Sequence, residues 1–160
     1  RIFKYDVSEF TCEQLYRVVA DVARYAEFVP FCTMSRVLHW HTPNSFDAIL
    51  GLGAAGLAEE YTSRVHLSPT HSVIAEAYDT PLFVLLHSSW DFSENPDGCV
   101  LTFELEMQLK SHLHDQLLRG LIDHVAERQV SAFKQRCAEL YQLESFSGME
   151  RQGGATETRG

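Results

Sequence analysis

The chain has 160 residues, of which 45% are hydrophobic and 22% are charged. This length favours a single domain, and the composition is ordinary for a globular protein. Its formal charge of −9, without a run of basic residues, argues against nucleic-acid binding, because an acidic surface repels phosphate backbones. The longest nearly uncharged run, 80–90, is too short for a membrane span, which needs about 20 apolar residues.

The four cysteines lie far apart and include no C-x-x-C pair, so neither a zinc ribbon nor a thioredoxin-type redox pair is predicted. We expect Cys12, Cys32, Cys99 and Cys137 to be free thiols that pack as small hydrophobic side chains. The chain starts at Arg1, and we expect that a targeting segment has been removed ahead of it.

The first part of the chain predicts a strand followed by two short helices. Residues 2–8 alternate as a strand. Residues 11–22 predict a helix, because Thr11 is a suitable N-cap with a glutamine three residues on. A second helical turn, 23–28, ends ahead of Pro30, whose ring disfavours helix in the residue before it.

The middle of the chain predicts about six further strands. From Met34 the apolar residues alternate with polar ones, and turn signals at 42–44, 68–69 and 95–98 separate the runs. The clearest strand, 99–109, carries apolar residues on one face and polar residues on the other. This pattern is typical of an antiparallel sheet with one buried face.

A long amphipathic helix, 112–143, is predicted to cover that face. Gly120 is a weak point within it, because glycine costs about 1 kcal/mol relative to alanine in a helix. A curved sheet around one helix leaves an apolar pocket between them. Residues 144–160 have little to bury and predict a disordered tail, which leaves one folded domain over 1–143.

Several local patterns are weak signals for chemistry. Residues 51–56 spell the dinucleotide fingerprint G-x-G-x-x-G, but a strand follows it instead of a helix, so we interpret it as a hairpin. His39 and His41 share one side of a strand without metal-ligand spacing, so no metal site is predicted. Cys32 stands beside apolar residues, which is more typical of packing than of a nucleophile.

Glu59 is the acid most expected to point inward, because it shares a strand face with Tyr61 and Val65. A buried carboxyl group must be hydrogen-bonded or protonated. The side chain would contact the polar head group of a ligand or complete a hydrogen-bond network at the end of the sheet. The sequence leaves both interpretations open.

Two apolar segments outside the main helix favour a ligand entrance. Residues 25–32 form the densest aromatic cluster in a non-helical stretch, and residues 81–86 form an apolar loop. Each is either a hydrophobic plug or the rim of a pocket that opens toward a membrane.

Five segments carry a resemblance to a known family, and they follow the family's order between about Tyr5 and Tyr141. They are Tyr25 with Phe28-Val29-Pro30-Phe31-Cys32 and Ser35, Glu59-Glu60-Tyr61-Thr62-Ser63, Trp90-Asp91-Phe92, Leu113-His114-Asp115-Gln116-Leu117, and Val130-Ser131-Ala132-Phe133. The chain resembles the mitochondrial coenzyme Q-binding proteins of the START and polyketide-cyclase-like helix-grip superfamily. Phe31 stands where that family commonly carries tryptophan, and 53–56 replaces a proline-rich stretch.

The resemblance implies an α+β helix-grip fold: two short helices after strand 1, and a curved seven-stranded antiparallel sheet wrapped around a long C-terminal helix. It implies a lipid chaperone, not an enzyme, which holds ubiquinone in an apolar tunnel and supports respiratory electron transport and ubiquinone synthesis. No catalytic cofactor or metal is implied. The location implied is peripheral, on the matrix side of the inner mitochondrial membrane (cytoplasmic in a bacterium), near respiratory-chain or quinone-synthesis proteins.

The predicted ligand contacts lie in the aromatic cluster, on the apolar sheet face and on the helix. They are Phe28, Val29, Pro30, Phe31, Tyr61, Phe83, Trp90, Phe92, Leu101, Phe103, Leu105, Leu117, Leu121, Ile122 and Val125, with Glu59 as a head-group contact. Two alternatives stay open. A ribosome-association toxin that binds the large subunit would need a basic face, and a polyketide cyclase or aromatase would need a paired acid and base in the pocket.

Overall fold

The computed structural model describes residues 2–7, 9–54, 56–78 and 80–152, with side chains as far as Tyr141 except at positions 54, 57 and 118. Its strands are β1 (Ile2–Val7), β2 (Cys32–Thr42), β3 (Ser45–Ala54), β4 (Leu57–Ser68), β5 (Ser72–Tyr78), β6 (Phe83–Asn95) and β7 (Gly98–Leu109). Its helices are α1 (Cys12–Ala20), a 3-10 helix (Val22–Glu27), α2 (His112–Arg119) and α3 (Ile122–Gln152). Within the described ranges, the seven strands form one sheet in the order β1-β7-β6-β5-β4-β3-β2, every neighbouring pair being antiparallel. The predicted α+β architecture is confirmed.

Helix α1 starts where the sequence predicts. The Thr11 hydroxyl accepts a hydrogen bond from the Gln14 backbone N–H at 3.1 Å, and the Gln14 side-chain oxygen accepts from the Thr11 N–H at 3.0 Å. This reciprocal pair satisfies two N–H groups that the first helical turn leaves unpaired. The helix ends at Ala20, and the second predicted helical turn is the 3-10 helix.

The G-x-G-x-x-G segment joins β3 to β4, so its interpretation as a hairpin between two strands is confirmed. Ala54 pairs with Leu57 at the end of the hairpin. A Cβ atom at Gly51 would lie 2.4 Å from the Thr33 Oγ1 atom on β2. The first glycine of the motif is therefore needed because β2 and β3 approach each other too closely here for a side chain. The last glycine of the motif, Gly56, has a positive φ of 81°, a conformation that glycine adopts more easily than other residues.

The prediction of one uninterrupted C-terminal helix is wrong in one respect, because the helix breaks at Gly120 and Leu121. Asp115 holds the first piece against the sheet by accepting hydrogen bonds from the Leu109 backbone N–H and the Arg119 guanidinium, both at 3.0 Å. The second piece, α3, buries one apolar stripe in the core that it forms with the sheet and α1: Ala126, Val130, Phe133 and Cys137. Its backbone continues to Gln152, beyond the predicted end at Leu143, and the remainder of the predicted tail, 153–160, lies outside the described residues. Among the helices described, none combines the length and apolar character needed to cross a membrane.

The expectation of four free thiols is wrong for one pair. Cys12, the first residue of α1, and Cys99 on β7 form a disulfide across a sequence separation of 87 residues. Both are buried, and the bond ties α1 to the sheet. Spacing along the sequence gave no sign of this pair, because only the fold brings β7 under α1. Among the described cysteines, Cys32 and Cys137 are free.

Reduction of the Cys12–Cys99 bond is expected to lower the free energy of unfolding by about 2–4 kcal/mol, because the cross-link restricts a long loop in the unfolded chain. Urea denaturation with and without a reductant measures the difference. The Cys12→Ala/Cys99→Ala variant should show no response to the reductant. Equal midpoints for the oxidised and reduced native protein would contradict this expectation.

Candidate functional site: a cavity between the sheet and α3

The inner face of the sheet, the segment after the 3-10 helix and the start of α3 enclose a cavity of about 170 Å³. Its wall is mainly apolar. The lining residues are Val22, Tyr25, Val29, Pro30, Phe31, Cys32, Leu50, Gly51, Leu52, Tyr61, Ser63, Val65, Val73, Ala75, Ala77, Phe83, Leu86, Ser88, Trp90, Leu105, Met107, Val125 and Gln129.

Small side chains on neighbouring strands create this space. Ala75 of β5 pairs with Ser88 of β6, and Ala77 of β5 pairs with Ser63 of β4. Ser63 also pairs with Ala48 of β3, which is fully buried. Because side chains of paired residues stand next to one another on one face, these positions form a band where α3 meets no large side chain.

Aromatic rings form the inner end of the cavity. The Trp90 ring stacks on Phe103, with 4.1 Å between ring centroids, and meets the Phe133 ring edge-on at 4.8 Å. Phe133 also contacts Tyr25 at 5.2 Å and Phe28 at 5.1 Å. These rings connect α3, the 3-10 helix and the sheet, so they fix the depth of the cavity.

Four polar side chains face the apolar space: Tyr61, Ser63, Ser88 and Gln129. Among the described residues, no protein group forms a hydrogen bond with the polar atoms of these four side chains. The same part of the structure contains no completely buried side-chain N or O atom that lacks a partner. Their polar atoms therefore open onto the cavity. Ser63 is the most enclosed of the four, with 3% of its surface exposed.

The titratable groups in the wall stay protonated at neutral pH. Burial raises the pKa of Tyr61 and of Tyr25, whose hydroxyl donates to the Val19 carbonyl oxygen. Burial also raises the pKa of Cys32, whose thiol donates to the Met34 carbonyl oxygen at 3.3 Å. A protonated thiol is a poor nucleophile, whereas a neutral phenol is a good hydrogen-bond donor.

Phe31 stands at the outer edge of the cavity with 37% of its surface exposed. Its backbone has a positive φ of 65°, an unfavourable conformation for a bulky residue. The Gly53 N–H donates to the Phe31 carbonyl oxygen at 2.9 Å, and the Arg128 guanidinium of α3 lies 5.3 Å from the ring centroid. These contacts hold an aromatic ring between the β3–β4 hairpin and α3.

The structure brings part of the predicted ligand set to the cavity wall. Those residues are Val29, Pro30, Phe31, Tyr61, Phe83, Trp90, Leu105 and Val125. Phe28, Phe92, Leu101 and Phe103 pack into the core instead, because their large side chains fill the space around α1 and α3. Leu117 and Leu121 are exposed, and Ile122 lies beside a shallow groove with Leu85 and Met107. Glu59 is half-buried opposite Leu52 and does not line the cavity.

Sequence reasoning missed the small and polar part of the wall, above all Ser63, Ala75, Ala77, Ser88 and Gln129. A signal was present in the sequence. Alanine and serine recur at inward positions of three predicted strands, where the other inward residues are large. Small side chains at neighbouring inward positions indicate where a sheet leaves space for a cavity.

His41 belongs to a separate hydrogen-bond cluster around Asp47, on the outer face of the sheet. The Asp47 carboxylate accepts from Tyr78 at 2.6 Å, from Arg64 at 3.1 Å and from His41 at 3.0 Å. The Arg64 hydrogen bond and the other two hold the pKa of Asp47 well below its ordinary range. Over the described residues, no group of three or more His, Cys, Asp or Glu side chains could hold a metal ion.

Comparison of the chain with known proteins identifies its relatives. The chain is 36% identical over 136 residues to coenzyme Q-binding protein COQ10 homolog B, mitochondrial, of Xenopus laevis, covering 82% of this chain and 55% of that protein. It is 30% identical over 133 residues to ribosome association toxin RatA of Escherichia coli, covering 82% of this chain and 83% of the toxin. The chain spans about half the length of the animal coenzyme Q-binding relatives that it matches.

A START superfamily protein from Mycobacterium smegmatis shares the fold, with a TM-score of 0.75 and 15% identity over 88% of this chain and 97% of that one. The family model described as polyketide cyclase / dehydrase and lipid transport matches residues 8–134. The predicted resemblance is confirmed, and the chain belongs to this polyketide cyclase / dehydrase and lipid transport family as a homologue of the coenzyme Q-binding proteins.

Proposed function

We propose that this protein binds an isoprenoid quinone, ubiquinone, in the cavity between the sheet and α3 and acts as a lipid chaperone. The observation that carries the proposal is an apolar cavity into which unpaired hydrogen-bond donors project. A quinone combines an apolar ring and tail with carbonyl oxygens that accept hydrogen bonds. The coenzyme Q-binding relatives support this ligand over other lipids.

The size of the cavity limits what it holds in this conformation. Its volume of about 170 Å³ is close to that of an engineered cavity of about 150 Å³ that binds benzene. A ring fits such a space, whereas a long isoprenoid tail must continue along the opening or widen the gap between the sheet and α3. Each buried apolar group of side-chain size contributes about 1.5–3 kcal/mol, so a ring and a few isoprene units suffice for micromolar binding.

The chemistry of the wall supports binding over catalysis. Tyr25, Tyr61 and Cys32 are its titratable side chains, and burial keeps all three in their neutral forms. Acid–base catalysis of a cyclisation needs groups whose pKa values lie near the working pH. We infer that these side chains orient a ligand by hydrogen bonding.

An exposed apolar surface supports contact with a membrane. Leu113 and Leu117 on α2 are 66% and 63% exposed, and Leu121 follows at the same four-residue spacing. Val84 and Leu85, next to the lining residue Phe83, are also exposed. The segment 110–121 contains two bases, Lys110 and Arg119, and one acid, Asp115, so its formal charge is +1, whereas that of the whole chain is −9. This surface is therefore less repelled by lipid phosphates than the net charge of the whole chain suggests.

Replacing Leu113 and Leu117 with glutamate is expected to slow quinone extraction from phosphatidylcholine vesicles at least about tenfold, because each buried leucine contributes about 1.5–3 kcal/mol. The affinity for decylubiquinone in detergent should stay unchanged, since neither residue lines the cavity. The matched control is Leu38→Glu, an exposed leucine on β2. Extraction at the native rate by the double variant would rule out this membrane surface.

The names of the relatives support a mitochondrial setting. Coenzyme Q-binding proteins of frog, fly and slime mould are named as mitochondrial. We propose that this protein works on the matrix side of the inner mitochondrial membrane as a peripheral protein. There it would deliver ubiquinone to respiratory-chain or quinone-synthesis proteins and so support respiratory electron transport.

The two tryptophans allow a direct binding test, since Trp90 lines the cavity and Trp40 is exposed on β2. In the Trp40→Phe variant, decylubiquinone should quench the emission of Trp90 saturably, with a midpoint in the micromolar range or below. The Trp90→Phe variant, which keeps Trp40, is the control for quenching from solution. Unchanged Trp90 emission across the titration would contradict quinone binding in this cavity.

A second candidate function is association with the large ribosomal subunit. It is favoured by the RatA relative, which this chain matches over 83% of the toxin's length. The formal charge of −9 opposes it, because binding to ribosomal RNA draws on basic surfaces. Co-sedimentation with purified large subunits would support this candidate, and we expect the protein to stay in the supernatant.

A further inference from the structure

We propose that the quinone enters this cavity ring first, and that Ser63 and Ser88 donate hydrogen bonds to the oxygen atoms of its ring while the tail leaves past Phe31. This inference rests on the proposed function and adds the orientation of the ligand and two residues that determine its class. The ligand class is a small oxygenated ring that carries a long apolar tail, as opposed to a plain hydrocarbon lipid.

The first support is the placement of the two hydroxyls. Ser63 has only 3% of its surface exposed. It lies opposite Ala77, and Ser88 lies opposite Ala75. The two serines thus stand on either side of β5, at the band of small side chains that makes the cavity. Neither hydroxyl has a protein partner among the described residues.

The second support is the cost of the opposite orientation. An apolar tail packed into this band would cover both serine hydroxyls without giving them a partner, which is unfavourable. A ring with carbonyl or ether oxygens supplies acceptors at that depth. The cavity volume of about 170 Å³ suits a ring, and Trp90 in the cavity wall gives that ring an aromatic neighbour.

The third support is the position of the exit. Phe31 is the exposed lining residue, so the cavity opens beside it. Leu121 precedes the lining residue Val125 by one helical turn, and Val84 directly follows the lining residue Phe83. Both are exposed and apolar. We therefore expect a tail that leaves the cavity to continue onto the apolar surface that these residues provide.

The test compares two probes on one double variant. Decylubiquinone has a ring with four oxygen atoms, whereas squalene is an isoprenoid hydrocarbon without oxygen. In Ser63→Ala/Ser88→Ala, decylubiquinone should bind roughly 5- to 100-fold more weakly, the factor expected for the loss of two hydrogen bonds. Squalene should bind within about twofold of its native affinity, because the variant removes only polar atoms.

Two further variants separate hydrogen bonding from packing. Ser63→Thr/Ser88→Thr keeps both hydroxyls and should retain most of the affinity for decylubiquinone. Ser93→Ala, an exposed serine on the outer face of β6, should leave both affinities and the melting temperature unchanged. Native affinity of the double alanine variant for decylubiquinone overturns the inference, and so does an equal loss for both probes.

A photo-crosslinking quinone gives an independent readout of orientation. With a diazirine at the far end of the tail, crosslinks should map to peptides that contain Phe31, Val84 or Leu121. Crosslinks on β5 or at Trp90 would show a tail-first ligand and overturn the inference while leaving quinone binding intact. If the native protein binds no decylubiquinone at all, the proposed function itself fails, and the two failures are thus distinguishable.

Discussion

Replacing Ala75 and Ala77 with leucine is expected to weaken quinone binding by roughly 100-fold or more while the protein stays folded. Both alanines line the cavity on the central strand β5, and their small side chains leave the space that the ring would occupy. Leucine side chains at these positions project into that space, so ligand and protein would compete for it. The loss corresponds to the burial of about one large side chain.

The fold should tolerate this double substitution, because the new methyl groups enter an existing cavity. Overpacking of a filled core costs about 1–3 kcal/mol, whereas filling a cavity offsets that cost. Circular dichroism and the melting temperature check the fold, and Trp90 quenching checks binding. The matched control is Ala58→Leu, an exposed alanine on β4. A folded double variant with native affinity would mean that the quinone binds elsewhere.

Replacing Phe133 with alanine is expected to lower the free energy of unfolding by about 3–5 kcal/mol, the typical loss for a buried phenylalanine. Phe133 is 1% exposed, and its ring contacts Tyr25, Phe28 and Trp90. The variant would remove the contact that joins α3 to both the 3-10 helix and the sheet. Urea denaturation followed by circular dichroism measures the change.

Phe133→Leu is the matched control for this prediction. Leucine keeps most of the apolar volume, so a loss of about 1.5 kcal/mol or less is expected. If Phe133→Ala costs less than its leucine counterpart, the aromatic cluster does not anchor α3 in the way that the ring contacts imply.

Local patterns made the elements of the fold predictable. The capping box at Thr11 sets the start of α1, and alternation of apolar residues identifies β7, because each depends on residues close in sequence. The break near Gly120 was visible only as a weak point. Whether one glycine interrupts a helix depends on tertiary contacts, here the hydrogen bond from the Leu109 N–H to Asp115.

The location of the cavity was harder to predict, because it depends on residues that register brings together across strands. The sequence drew attention to large apolar residues such as Leu101 and Phe103, which fill space instead of lining it. Ser63 and Ser88 are distant in sequence and meet around β5 only through the β4–β5 and β5–β6 pairings. The Cys12–Cys99 bond was missed for the same reason.

The most direct test of quinone binding is mass spectrometry of the organic extract from the native protein after purification from a quinone-producing host. The cavity and its hydrogen-bond donors predict ubiquinone at close to one molecule per protein, and little in Ala75→Leu/Ala77→Leu purified in parallel. A native protein that carries no quinone, and takes none from ubiquinone-loaded vesicles, would contradict the proposed function.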